Sequence, residues 1–249
     1  MSKKFFVIAD VHSFYTEMKN ALDVAGFEIN NPDHILISCG DVLDRGPQSL
    51  EVLEFLLSIP KDRRIFIRGN HEDLLEDCIS RRDFYPNDIS NGTLKTIFNL
   101  CGLQDDAFWF GIPGDTSGDY HQIFDRVANV KPLWDYLAEC ADFYELGTYI
   151  FVHSWVPIGV TDLQQATKDE WRSARWGNPF KLWNRGYRIP DKTIVVGHWH
   201  TSWAHSFLHN KGTEFGDDSC FDIFIDDGIV GLDACTVHSH KCNCFVIEE

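Results

Sequence analysis

Five short segments of this chain end in residues that bind metals or move protons. They are Asp10-Val11-His12, Gly40-Asp41 through Gly46, Gly69-Asn70-His71-Glu72, Val152-His153 and Gly197-His198-Trp199-His200. Each follows an apolar, strand-like run. Carboxylate, imidazole and amide oxygen, with no thiolate, suit borderline-hard divalent ions: Mn²⁺ first, with Fe²⁺ and Zn²⁺ as alternatives. Asp10 and His12 lie two apart, so at an extended strand end both would face one side and share an ion. Asp41 is the natural bridging group, because a carboxylate has two oxygens to offer to two ions. Two such ions about 3.5–4 Å apart activate a water and clamp phosphate oxygens, the chemistry of phosphoester hydrolysis. One segment alone says little, since Asp44-Arg45-Gly46 could be a charged turn and Asp10 a helix cap. The ordered series carries the reading.

The apolar spacing predicts the elements that must hold these groups. Phe5-Phe6-Val7-Ile8 reads as a strand, and Met18, Ala21, Leu22 and Ala25 mark one helix face closed by Gly26. Ile35-Leu36-Ile37-Ser38 is a second strand. Leu50, Leu53 and Leu57 mark a helix between Pro47 and Pro60, and Ile65-Phe66-Ile67 is a third strand with a helix from Glu72. This βαβαβα order implies parallel strands with crossover helices, and ligands collect at the carboxyl ends of such strands. Asp10, Asp41 and Asn70 fall there. Tyr149 to Val152 and Thr193 to Val196 are further core strands. Residues 81–130 read as a partly helical insertion beside the site. Phe221 to Asp226, Gly228 to Val237 and Cys244 to Ile247 read as antiparallel strands completing a second sheet. The expected fold is a single α/β domain over residues 1–249, with two mixed β-sheets packed face to face and helices outside.

Bulk properties narrow the function. The 249 residues are 44% hydrophobic, enough for one sizeable core. A net charge of −16 argues against binding a nucleic-acid duplex through its backbone. The apolar run after Lys4 is too short for a signal peptide, and no stretch approaches the roughly 20 apolar residues of a membrane span. A cytoplasmic protein without membrane partners is expected. Its eight cysteines are scattered, as reduced, buried cysteines are. The tail from Cys235 to Cys244 suggests a zinc site, but a turn at Ser239-His240-Lys241 would split its groups between strands.

The motifs Gly40-Asp41-Val42-Leu43-Asp44-Arg45-Gly46 and Arg68-Gly69-Asn70-His71-Glu72 resemble those of the calcineurin-like metallophosphoesterase superfamily, closest to its phosphoprotein-phosphatase branch. That branch includes λ-type Ser/Thr phosphatases and bacterial diadenosine tetraphosphatases. The resemblance spans residues 10 to 200. It implies that Asp10, His12 and Asp41 hold a first ion, and that Asp41, Asn70, His153 and His198 hold a second. It implies that His71 is the general acid, with Asp44 as its partner, and that Arg45 and Asn70 bind phosphate. A carboxylate partner raises an imidazole pKa, which independently suits that pairing. A second phosphate-binding arginine is expected upstream of the last motif. Arg175 is the choice, with Arg172 and Arg185 as rivals. Ser13 stands where the family has a glycine. His200 is the extra histidine that in the wider superfamily ligates the first ion.

The leading expectation is a dimetal-dependent phosphomonoester hydrolase of the Ser/Thr phosphatase kind, using a metal-activated water on a phosphoprotein. A dinucleoside polyphosphate hydrolase acting on nucleotides is the alternative. A non-catalytic metal-binding scaffold is disfavoured, because it would not need His71 and Asp44. Trp199, between two expected ligands, is a candidate for stacking on a base.

Overall fold

Alternation along β1 (Lys4–Ile8) divides the molecule into layers. Phe5, Val7 and Ala9 enter one core, while Phe6 and Ile8 enter another. Both faces are apolar, so the strand must be covered on both sides. The structure, a computed structural model, describes residues 2–103 and 121–249.

β1 is joined by β2 (His34–Ser38), β3 (Arg64–Ile67), β4 (Cys140–Ala141) and β10 (Phe245–Glu248), in the order β10-β1-β2-β3-β4. β1 to β4 are parallel, and β10 runs antiparallel to β1. The second sheet comprises β5 (Tyr144–Leu146), β6 (Tyr149–Phe151), β7 (Thr193–Val196), β8 (Phe224–Asp226) and β9 (Ile229–Gly231), ordered β5-β6-β7-β9-β8. Its three central strands are parallel and its edges antiparallel. Phe5, Val7, Ile37 and Ile67 meet Phe151, Val195 and Val230 between the two sheets. The α/β arrangement of two mixed sheets face to face is the expected one.

Helices cover the outer faces. On the first sheet lie α1 (Tyr15–Ala25), α2 (Ser49–Ser58), α3 (Asn70–Arg81), α4 (Pro86–Ser90), α5 (Thr93–Leu100), α6 (Gln122–Val127) and α7 (Lys131–Glu139). α1 ends where Gly26 takes φ 83°, a left-handed turn that glycine adopts freely. On the second sheet lie α8 (Lys168–Ala174), α9 (Pro179–Asn184) and α10 (Thr201–His209). Among the described residues no helix is long and apolar enough to cross a membrane. All eight cysteines are free.

Two expectations are corrected. β10 completes the first sheet, not the second, because Val246 and Ile247 pair with Phe6 and Phe5. The run from Gly228 to Val237 is strand only to Gly231. Beyond it Asp233 accepts bonds from Thr201 N and Cys235 N, Cys235 turns left-handed, and α11 (Thr236–Ser239) follows. The expected insertion at 81–130 lies partly outside the described residues. Its described part is helical, and Leu94, Ile97, Phe98, Ile123 and Phe124 share the core beneath Phe6 and Ile8.

Candidate metal centre

The loops after β1 and β2 are bound to each other through their backbones. Asp10 N donates to Gly40 O (3.1 Å), His12 N to Asp41 O (3.0 Å), Ser13 N to Val42 O (2.8 Å) and Gly46 N to His12 O (2.9 Å). Their residues do not continue the strands. Asp10, His12, Ser13 and Asp41 have φ of 51°, 50°, 59° and 51°, in the left-handed region. Alternation along an extended strand therefore does not aim Asp10 and His12, as the sequence had suggested; the coiled loop does. Ser13 occupies the glycine position of the family motif in a glycine-like conformation, and its Oγ lies 2.9 Å from Ser49 Oγ. Gly69 is needed for close approach: a Cβ there would lie 2.2 Å from Asp41 Oδ1 and 2.5 Å from Asp41 N.

Asp41 is the centre of the constellation. One buried group joins it to His12 and His71, another to His153 and His198. Asp41 Oδ1 also accepts from His71 N at the start of α3 (2.9 Å). His153 Nδ1 donates to Cys39 O (2.9 Å), so its Nε2 lone pair faces Asn70 Oδ1 (2.8 Å), Asp41 Oδ1 (3.4 Å) and His198 Nδ1 (3.1 Å). The Trp176 ring meets that of His198 edge-on, their centroids 6.2 Å apart. His12 Nδ1 donates to Leu43 O (2.9 Å), turning its Nε2 toward Asp41 Oδ2 (3.9 Å). Acceptor atoms thus converge with no proton to share, and backbone carbonyls fix the tautomers as they do around ligating histidines. This donor set fits divalent cations.

The electrostatics agree. Burial, then Arg45 and His71, hold His12 well below the usual imidazole range, and burial with His153 takes His198 down to about 3. Both rings are neutral at neutral pH, the state that ligates. Burial would raise Asp41, but His153, His71, His12 and His198 together outweigh it and hold the carboxylate ionised. Asp10 goes the other way, raised by burial, Asp233 and Asp41. Its two oxygens accept from His198 N at 3.0 and 2.9 Å.

His71, a member of the first group, is also held from outside it. Its Nδ1 lies 2.8 Å from Asp44 Oδ2, and Arg45 Nη2 lies 3.2 Å from its Nε2. Burial would lower its pKa, yet Asp41 and Asp44 raise it overall. Asp44 is fully buried and further fixed by α5: Thr93 Oγ1 donates to its Oδ2 and Thr96 Oγ1 accepts from its N.

Two expected residues are not brought to the cluster. Arg175 is buried with Nη1 on Asp73 (2.8 Å) and Nη2 on Asp142, so its fork is committed to structural carboxylates. Its rival Arg172 pairs with Asp77. His200 caps α10 instead of facing the ions: Nδ1 contacts Ser202 Oγ (2.8 Å) and Trp203 N (3.3 Å), and Nε2 faces Glu214 (3.4 Å). Burial, then His238, take it down to about 4. Trp199 is packed against His200 and below Lys181. The exposed aromatic beside a cluster histidine is Trp176, its centroid 6.2 Å from that of His198. The tail cysteines and histidines form no metal group among the described residues.

Sequence reasoning gave no role to Glu72. Its Oε2 accepts from Gly69 N (2.8 Å) and Asp41 N (3.0 Å), and its Oε1 from Val42 N (3.0 Å) and Tyr136 OH (3.1 Å). The signal was present as capping-box spacing from Gly69. Asp233 was also missed. It is buried against Asp10, with its pKa raised to about 6 mainly by burial.

Residues 3–242 match the calcineurin-like phosphoesterase family. The chain belongs to this family. Within it, 138 residues are 32% identical to an asymmetrical bis(5'-nucleosyl)-tetraphosphatase of Bacillus velezensis, covering 53% of this chain and 51% of that protein. A symmetrical bis(5'-nucleosyl)-tetraphosphatase of Wigglesworthia glossinidia brevipalpis is 40% identical over 68 residues, 27% and 24% of the two chains. A candidate serine/threonine-protein phosphatase of Caenorhabditis elegans is 41% identical over 69 residues, 26% and 18%. The chain spans about half or less of the length of these phosphoesterase relatives. In solved structures, a candidate diadenosine tetraphosphatase shares the fold with a TM-score of 0.56 at 15% identity, covering 99% of this chain and 93% of that one. The cold-active protein-tyrosine phosphatase of a Shewanella species has a TM-score of 0.54 at 15% identity, covering 98% and 75%.

Proposed function

We propose that this phosphoesterase is a dimetal-dependent hydrolase of dinucleoside polyphosphates. The observation behind the chemistry is that Asp41 belongs to two ligand groups, one with His12 and His71 and one with His153 and His198, and that His71 also meets Asp44 and Arg45. Asp10, His12 and Asp41 would hold one ion, and Asp41, Asn70, His153 and His198 the other. When bound, two such ions supply an activated water and neutralise phosphate charge. The side chains do the rest. Arg45 binds phosphate oxygens with its planar fork. His71 donates a proton from Nε2 to the leaving oxygen, and Asp44 holds Nδ1 and keeps the ring basic enough to carry that proton. Glu72 fixes the Asp41 and Gly69 backbones, so the Asp41 carboxylate does not drift.

The substrate reading is supported by relatives named symmetrical and asymmetrical bis(5'-nucleosyl)-tetraphosphatases. The phosphoprotein alternative is supported by the Caenorhabditis elegans relative. The deciding experiment strips the protein with chelator, restores Mn²⁺, and compares diadenosine tetraphosphate, a phosphoserine peptide and an aryl phosphate. Metal-restored cleavage of the dinucleotide ahead of the peptide is expected. The nucleotide products tell symmetrical from asymmetrical cleavage. Preference for the peptide would overturn the nucleotide reading, and activity without metal would overturn both.

A further inference from the structure

A cavity of about 640 Å³ lies between α8, α9 and the segment after β6. Its volume falls within the roughly 300–1,000 Å³ of small-molecule sites. The segment that presents His153, and one that touches His198, also build its walls. Trp155, two residues past His153, forms one side. Gly177 forms another, next to Trp176 whose ring meets that of His198, and Ser154 Oγ ties the two together by donating to Gly177 O (2.5 Å).

The lining has the chemistry of a nucleoside site. Trp155, Pro157, Ile158 and Leu182 offer apolar surface to a heterocycle. Asn178 Oδ1 caps α9 by accepting from Lys181 N (2.9 Å), while its Nδ2 is buried with no partner among the described residues. That nitrogen is closed to the cavity as well as to solvent, so Asn178 shapes the wall and caps α9. Lys181 and Arg185, one helical turn apart, also line the cavity. Neither makes an ion pair among the described residues, so two cations are available in a chain of net charge −16. Asp169 and Glu170 share the rim, but the Glu170 carboxylate is taken by Thr167 N and Oγ1. Trp176 is 51% exposed at its junction with the cluster, a face on which a second ring can stack.

We infer that this cavity binds one nucleoside of a dinucleoside polyphosphate, with Trp155 and its apolar neighbours holding the base and Lys181 and Arg185 meeting the phosphate chain. The inference rests on the nucleotide reading above and deepens it.

The test uses two readouts. Metal-free protein is titrated with adenosine by equilibrium dialysis, and Mn²⁺-loaded protein is assayed on diadenosine tetraphosphate and on an aryl phosphate. Ser173→Trp puts a large ring into the cavity from an exposed helix position. Arg185→Met removes one of the two cations that line the cavity. Saturable adenosine binding is expected in the wild type and lost in Ser173→Trp. The KM for the dinucleotide should rise about tenfold or more in both variants, while aryl phosphate kcat/KM stays within about twofold. No adenosine binding, or variants with an unchanged dinucleotide KM, overturns the cavity assignment even if the dinucleotide is cleaved. Adenosine binding without dinucleotide cleavage would leave the cavity standing and bring down the substrate reading instead.

Discussion

Glu72 offers the sharpest test of how the centre is held. Its carboxylate accepts from three backbone amides and one phenol, on three separate elements. Bonds to an ionised acceptor contribute about 1.5–3 kcal/mol each, so truncation to alanine nominally forfeits more than the fold can spare. Glu72→Gln is more informative because it keeps the shape. One oxygen becomes an NH₂ that must face donors. On the Oε1 side the Tyr136 hydroxyl can turn to accept, leaving only the Val42 N–H opposed. One orphaned buried donor costs about 1–3 kcal/mol. Urea unfolding of the metal-free protein should therefore show a loss of about 2 kcal/mol. Mn²⁺ titration calorimetry should show affinity down by roughly tenfold or more, as for groups that orient ligands from outside the coordination sphere. Tyr136→Phe is the control, expected to lose about 1 kcal/mol with Mn²⁺ affinity intact. If Glu72→Gln matches the wild type in both stability and metal affinity, the argument that this carboxylate positions Asp41 is wrong.

Four further outcomes are expected. His71→Asn should lower turnover by about 10²–10⁴-fold while metal analysis still finds two ions per chain; unchanged turnover would remove His71 from the chemistry. Asp233, raised to about 6 against 3.8, stabilises the fold below its unfolded value and loses that contribution as pH rises through the folded one. Metal-free wild type should accordingly lose about 2–3 kcal/mol relative to Asp233→Asn between pH ~4 and ~7, measured by urea unfolding at each pH. Arg175→Met should cost about 3 kcal/mol or somewhat less, since Arg68 still holds Asp73, with the KM for aryl phosphate unmoved; a raised KM at unchanged stability would return Arg175 to phosphate binding. Ser13→Gly should be near neutral on thermal unfolding, because relief of the left-handed conformation and loss of the contact to Ser49, each about 1 kcal/mol, oppose each other.

The placement of Asp10, Asp41, Asn70, His153 and His198 was legible because each follows a strand of a parallel core, and strand ends are readable from apolar runs. The Asp44 partnership with His71 was implied by the family resemblance and independently suited by the chemistry of a carboxylate beside an imidazole. What failed was geometry set by the backbone between elements. His200 is two residues from His198, yet as the first residue of α10's cap its ring serves Trp203 N and Ser202, and no spacing rule distinguishes the two roles. Arg175 looked free beside tryptophans because its partners, Asp73 and Asp142, are remote in sequence. β10 was assigned to the wrong sheet because an edge strand's apolar pattern fits either layer. Residues 81–130 read as an insertion because short helices carry weak periodicity, although Thr93 and Thr96 of α5 anchor Asp44.

The left-handed residues explain why this site depends so heavily on its neighbours. Asp10, His12, Ser13, Asp41, Asp44, Arg45 and His198 all have positive φ, and none is glycine. Each departs from what its side chain prefers by about 1 kcal/mol or more, so the loops would relax if left alone. They are held by the bonds that cross between them, from Asp10 N, His12 N, Ser13 N and Gly46 N, and by Glu72 beneath Asp41. None of these bonds involves a metal. The positions of these side chains are thus set by bonds within the protein, and the acceptor atoms they bring together repel one another unless a cation lies between them. Metal binding is then expected to act mainly by relieving that repulsion. It should raise thermal stability far more than it changes the backbone.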